Sequence, residues 1–280
     1  MAGVKQITPM HKGFTIIEVM IFLAISGFTF LIAASFINGK EAQAEFTTGM
    51  NSSNSVIRTM INNVADGNYP LSASVFLSCN ISSGAPVIGL TSVPTTTPGC
   101  TLIGKVIAPE TNGDNSLYSI YSVAGCQFFA NNSCTTSQGL PPTTLTQEQP
   151  TVASSLTQSN NWPGGLTISK LLLINGANTQ SIGAFGVFSS LPQNSGGVLV
   201  SGAQSVGAVF VNYTQLSTNT NSSIAGLVHN ASTWLPSGSY IIMCLSGANG
   251  HKGSITIGGV NGGGQLTTTL QMGNTTAAQC

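Results

Sequence analysis

The hydrophobic pattern breaks the chain into unlike parts. Residues 1–13, MAGVKQITPMHKG, are short and polar, with Lys5 and Lys12 and no acid. Phe14 to Ile37 then form an apolar run of 24 residues, FTIIEVMIFLAISGFTFLIAASFI, in which Glu18 is the one ionisable side chain. As a helix this run spans about 36 Å, enough to cross a bilayer core of about 30 Å. Beyond it the run becomes a stripe. Phe46, Met50, Ile57, Ile61 and Val64 recur at spacings of 4, 7, 4 and 3, which is one face of a helix. Gly67 is a stop signal, and Tyr69-Pro70 excludes continuation. The pattern predicts one helix from Phe14 to Asp66, about 80 Å long. Its first half has no partner in its own chain, and its second half has a stripe to bury on a head. Gly39 and Gly49 each cost this helix about 1 kcal/mol relative to alanine and allow it to bend.

The rest reads as a β-rich head. Residues 68–165 hold most of the prolines and only short apolar pieces, at Val75–Leu77, Leu102–Ile107 and Tyr118–Val123, so a loop-rich part with short strands is expected. Residues 166–280 carry a clearer strand pattern: Leu166–Ile174, Ile182–Phe188, Gly207–Tyr213, Tyr240–Leu245, Ser254–Val260 and Gln265–Gln271. Gly196-Gly197, Asn249-Gly250 and Asn261-Gly262 are turn candidates, and the last three runs suggest a meander. The expected fold class is α+β: a long N-terminal helix packed on a β-rich, loop-rich head.

Charge changes the picture. The 280 residues carry 7 Lys+Arg and 7 Asp+Glu, only 5% charged, against about 25% in an ordinary soluble domain. A nucleic-acid site, which needs a basic face, is not evident. The surface must instead be wetted by the 34 Ser, 31 Thr, 23 Asn and 33 Gly. Such a surface packs against copies of itself without charge repulsion. Six cysteines, Cys79, Cys100, Cys126, Cys134, Cys244 and Cys280, contain no C-x-x-C pair, which leaves zinc unsupported; no metal or other cofactor is expected. They are disulfide candidates. Pairing between sequence neighbours, one of 15 connectivities, would join 79–100, 126–134 and 244–280.

Lys5 and Lys12 precede the apolar run, so the N-terminus is expected in the cytoplasm and the head outside. Glu18 then stands out, because a carboxylate in a hydrocarbon span costs about 2–4 kcal/mol and marks function. Its partner must be Lys12, water at the membrane edge, or a charge on another molecule.

Gly13-Phe14-Thr15-Ile16-Ile17-Glu18-Val19, after a short basic leader and before a long apolar helix, resembles the signature of type IV pilins and pseudopilins. Gly27 also matches a glycine common in that family's helix, whereas Ser35 lies near where the family often has proline. The resemblance implies cleavage by a prepilin peptidase between Gly13 and Phe14 and N-methylation of Phe14. It implies that Glu18 directs assembly by pairing with the Phe14 amine of a neighbouring subunit. The divisions that follow are a leader, 1–13; a helix, 14–67, of which 14–37 is transmembrane; a loop-rich head part, 68–165; and a sheet part, 166–280. Removing 13 of 280 residues leaves 267, with five bases against seven acids. The competing reading is an ordinary secretory signal cut after Ala42-Gln43-Ala44, opposed by the length of the apolar run and the carboxylate inside it.

Catalysis needs titratable groups that converge. Beyond the long helix the chain offers Glu110, Asp114, Glu148, His229, His251, Lys105, Lys170 and Lys252, in no hydrolase, zinc-protease or phosphate-loop pattern. Gly247-x-x-Gly250-x-x-Gly253 lacks the spacing of a dinucleotide turn and reads as a loop. Glu110 and Asp114 are too few acids for a calcium loop. An enzyme is not expected. The expectation is a filament subunit, held in the inner membrane before assembly and then displayed at or beyond the cell surface. Its expected partners are membrane lipid, the peptidase, an inner-membrane assembly platform and other pilin copies. A type IV pilus subunit, a type II secretion pseudopilin and a minor tip-located adhesin share this N-terminal signature.

Overall fold

The computed structural model describes residues 13–66, 76–91, 99–109, 115–136, 139–142, 147–189, 206–212, 238–258, 266–273 and 280. The leader before Gly13, the stop at Gly67 and Tyr69-Pro70, and the Gly196-Gly197 and Asn261-Gly262 turns lie outside them. Contacts divide the chain into two units, Met1–Ala44 and Glu45–Cys280.

The helix α1, Ile16–Ala65, begins in the first unit and ends in the second. It starts two residues later than the apolar run, because Thr15 serves as its cap. In the first unit the large apolar side chains from Phe14 to Ile32, Phe22, Phe28 and Leu31 among them, are exposed.

In the second unit, the expected stripe is the buried face of α1. Phe46, Met50, Ile57, Ile61 and Val64 join Met60 in one core with the sheet. Three close approaches at glycines seat this half of the helix. A Cβ on Gly49 would come within 2.7 Å of the Pro163 carbonyl oxygen and 3.2 Å of the Gly164 Cα. One on Gly253 would lie 2.5 Å from the Met50 Cε, and one on Gly247 2.7 Å from a Phe46 ring carbon. Gly49 is therefore a contact surface rather than a bend. Gly247 and Gly253 are bare so that the helix can lie against their loop and strand.

Among the described residues the sheet is antiparallel and ten-stranded. Its main order is β14-β13-β12-β9-β10-β3-β4-β7, with β11 also on β10 and β8 also on β4. The ranges are β3 Cys100–Pro109, β4 Leu117–Cys126, β7 Thr151–Val152, β8 Gln158–Asn161, β9 Thr167–Asn175 and β10 Asn178–Ser189. The remainder are β11 Val206–Asn212, β12 Tyr240–Ser246, β13 Lys252–Gly258 and β14 Thr267–Met272. Two small hairpins lie outside it: β1 Phe76–Ser82 with β2 Ala85–Thr91, and β5 Phe128–Ala130 with β6 Ser133–Thr135. Strand alternation sorts the faces. In β12, Ile241, Met243 and Leu245 enter the core shared with α1, while Ile242 and Cys244 pack on the other face with Leu172 and Ile174.

β12, β13 and β14 form the expected meander. Asn249 (φ 57°) and Gly250 (φ 75°) turn the chain between the first two, as an Asn-Gly step does in a hairpin. The region 68–165 is more regular than expected. β3 and β4 run ten residues each and are central, and β3 pairs with β10, so one sheet draws strands from both sides of residue 165. Gly104 and Lys105 interrupt the apolar pattern of β3. Gly104 is bare because the Phe188 ring lies 2.4 Å from where its Cβ would be. Three disulfides join Cys79 to Cys100, Cys126 to Cys134 and Cys244 to Cys280. The first two tie the small hairpins to β3 and β4, and the third ties the C-terminal residue to the back of β12.

Candidate processing and assembly site

The site is the start of α1. Gly13, Phe14 and Thr15 are non-helical, and the helix opens at Ile16. The first turn of any helix leaves N–H groups without intrahelical acceptors. Here the Glu18 N–H donates to Thr15 Oγ1 at 3.3 Å. In return the Thr15 N–H and the Thr15 hydroxyl each donate to Glu18 Oε2 at 3.0 Å. Thr15 and Glu18 thus form a reciprocal capping box. A carboxylate at this end of a helix also meets the positive pole of the helix dipole. The T-x-x-E spacing is the sequence signal of this box, and the partner it gives Glu18 within the chain is a hydroxyl three residues back rather than a charge.

Around this polar start the helix surface is hydrocarbon. Glu18 is exposed, and its carboxylate accepts its hydrogen bonds from Thr15. Further along, the Thr29 hydroxyl donates to Ile25 O at 2.7 Å and to Ser26 O at 3.0 Å, which satisfies it inside its own helix. That arrangement suits a helix surrounded by lipid or by apolar neighbours. A Cβ on Gly27 would meet nothing within 4 Å, so a second helix can approach closely there. Among the described residues, α1 is the one helix long and apolar enough to cross a membrane.

The titratable groups of the head are scattered. Lys105 lies on β3, Lys170 on β9 and Lys252 on β13, while Glu148 precedes β7. His251 stacks on Phe46 at 5.5 Å between ring centroids, as a packing contact for α1. Burial holds the Lys105 ammonium below its usual range. Burial also pushes the Glu148 carboxyl up to about 8. Glu110, Asp114 and His229 lie outside the described residues. No group of three or more His, Cys, Asp or Glu able to hold a metal occurs among the described residues.

Residues 9–34 match the prokaryotic N-terminal methylation motif. No curated protein and no solved structure matches the chain. The motif is the prepilin signature of type IV pilins and pseudopilins, and it supports a pilin-like or pseudopilin substrate of prepilin peptidase. It implies assembly into filaments and points to a structural protein rather than an enzyme. The apolar helix and the motif together fit membrane anchoring before assembly.

Proposed function

We propose that the protein is a structural subunit of a type IV pilus or pilus-like filament, cut between Gly13 and Phe14, methylated on Phe14 and anchored by residues 14–37 until assembly. The observation that carries the reading is the methylation motif lying on the start of a helix whose large apolar side chains from Phe14 to Ile32 are exposed. Such a surface must be covered by lipid or by equivalent packing. Helix-on-helix packing in a filament core offers the second cover when the first is left behind.

Glu18 then sets the register. Before assembly its carboxylate is held by Thr15 at the membrane edge. Inside a filament an unpaired charge is costly. The stagger that brings a neighbour's Phe14 amine to Glu18 answers that cost. The size of the head, in a mature chain of 267 residues, favours a minor or tip-located subunit as the second reading. Adhesion, motility and secretion are the roles such filaments serve.

The test is Glu18→Ala in the native host. Cleavage and membrane insertion should be unchanged, while the yield of sheared filaments containing the protein falls. Normal incorporation of the variant would contradict the register argument.

A further inference from the structure

Four of the six cysteines meet at one end of the β3–β4 ladder. Cys100 opens β3, Cys126 closes β4, and the register sets them directly opposite each other. They are not bonded to each other. Cys100 is bridged to Cys79 in β1, and Cys126 to Cys134 in β6.

The backbone around the pair defines its type. Gln127 N–H donates to Gly99 O at 2.7 Å, so the step outward from the cysteines is hydrogen-bonded across the ladder. Cys126 N–H turns the other way and donates to Glu148 O at 2.8 Å. The two kinds of pair alternate in an antiparallel ladder, so Cys100 and Cys126 form a non-hydrogen-bonded pair, with α-carbons about 4.5 Å apart and side chains on one face. A disulfide accepts α-carbons about 4.4–6.8 Å apart. The bridges actually made span 6.0 and 5.6 Å. A Cys100–Cys126 bridge is therefore within reach of the β3–β4 hairpin alone. The Cys79–Cys100 bridge needs the β1–β2 hairpin docked as well, and the Cys126–Cys134 bridge, across a separation of 8 residues, needs the β5–β6 hairpin closed.

We propose that the head reaches its native cross-links by way of a Cys100–Cys126 bridge, and that it is a substrate for a thiol–disulfide isomerase of the compartment in which it folds. The exchange is balanced within the chain. The Cys79 thiolate attacks Cys100 Sγ, the Cys79–Cys100 bond forms, the Cys100–Cys126 bond breaks, and Cys126 leaves as a thiolate. Two oxidations frame this exchange, each by a disulfide oxidant such as oxidised glutathione that is reduced to two thiols: Cys100 and Cys126 first lose two electrons and two protons to form their bridge, and after the exchange Cys126, having taken up the proton released by Cys79, and Cys134 lose two electrons and two protons to form theirs. In the folded head the four cysteines are between 1% and 4% exposed, so the exchange belongs to the stage before the hairpins dock.

The experiment uses the full chain, reduced and unfolded in detergent, then returned to folding conditions in reduced and oxidised glutathione. Thiols are blocked with N-ethylmaleimide at intervals, and cross-linked peptides are identified by mass. The Cys100–Cys126 peptide should rise first and decline as Cys79–Cys100 and Cys126–Cys134 rise. Added isomerase should shorten its lifetime and leave the rate of Cys244–Cys280 formation unchanged. Direct formation of the native pairs with no Cys100–Cys126 peptide overturns the route, and an unchanged lifetime with isomerase overturns the partner. The double variant Cys79→Ser, Cys134→Ser tests the geometry separately. Oxidation should bridge its Cys100 and Cys126 completely, and two persistent free thiols there would contradict the pairing.

Discussion

A carboxyl group in the head, Glu148, is only 1% exposed and packs over Gly125, where an added Cβ would meet the Glu148 Cβ at 2.9 Å. Its Oε1 has no hydrogen-bond partner among the described residues. Loss of water is why its affinity for a proton is raised, to a pKa of about 8 from 4.5. The sign of the linkage follows. Between those two values the folded chain holds a proton that the unfolded chain has released. The contribution of Glu148 is full below about pH 4.5 and is lost as pH rises through about 8. Glu148→Gln keeps the shape of the neutral acid and removes the titration. Thermal melts of the variant should vary less with pH across that window than those of the parent. An undiminished slope would place the pH dependence elsewhere. Glu18 contrasts with Glu148 in having found a local answer. Its capping box with Thr15 was written in the T-x-x-E spacing, whereas the burial of Glu148 depends on chain segments distant in sequence.

At the scale of elements, α1 was the most legible part. Its apolar run and stripe follow one period, and the stripe residues are the ones the sheet buries. Gly49 was legible only as a weak helix former. Propensity alone predicts that Gly49→Ala gains about 1 kcal/mol. The approach of the Pro163 carbonyl to 2.7 Å predicts the reverse, because backbone must shift to admit a methyl group, at about 1–3 kcal/mol. Chemical denaturation decides the sign. The open end of the sheet has its own fastening. Arg58 Nε donates to Thr268 Oγ1 at 2.8 Å and Arg58 Nη2 to Thr268 O at 3.2 Å, clamping β14 to the helix. Arg58→Ala should speed amide hydrogen exchange in Thr267–Met272 while leaving β9 and β10 protected; equal protection of β14 would show that the clamp does not hold it. β3 and β4 were harder to read. Each is buried on both faces, so neither alternates cleanly, and Gly104 breaks the pattern for a neighbouring ring. The β1–β2 hairpin had a signal that was missed. Its turn is Ser83-Gly84, with φ of 53° and 78°, values that match a two-residue hairpin turn.

For the molecule as a whole, two kinds of cover explain two kinds of sequence. Among the described residues from 45 onward, most large apolar side chains are buried within the chain, on both faces of one sheet, and three disulfides pin the segments around it. Phe14 to Ile32 leave theirs exposed. That division could be read from hydrophobic period alone, because a run with no polar face cannot be the surface of a soluble head. The pairing of strands across residue 165 could not, since register depends on contacts far apart in sequence. With only 5% of its residues charged, the chain has little charge repulsion to oppose packing against copies of itself. The measurement that bears most directly on this account is the mass of the N-terminal peptide of the protein isolated from its native host. The account predicts a peptide that begins at Phe14 and carries an added methyl group on its amine. A peptide beginning at Glu45 would instead identify an ordinary secreted protein, and the role given to Glu18 would fall with it.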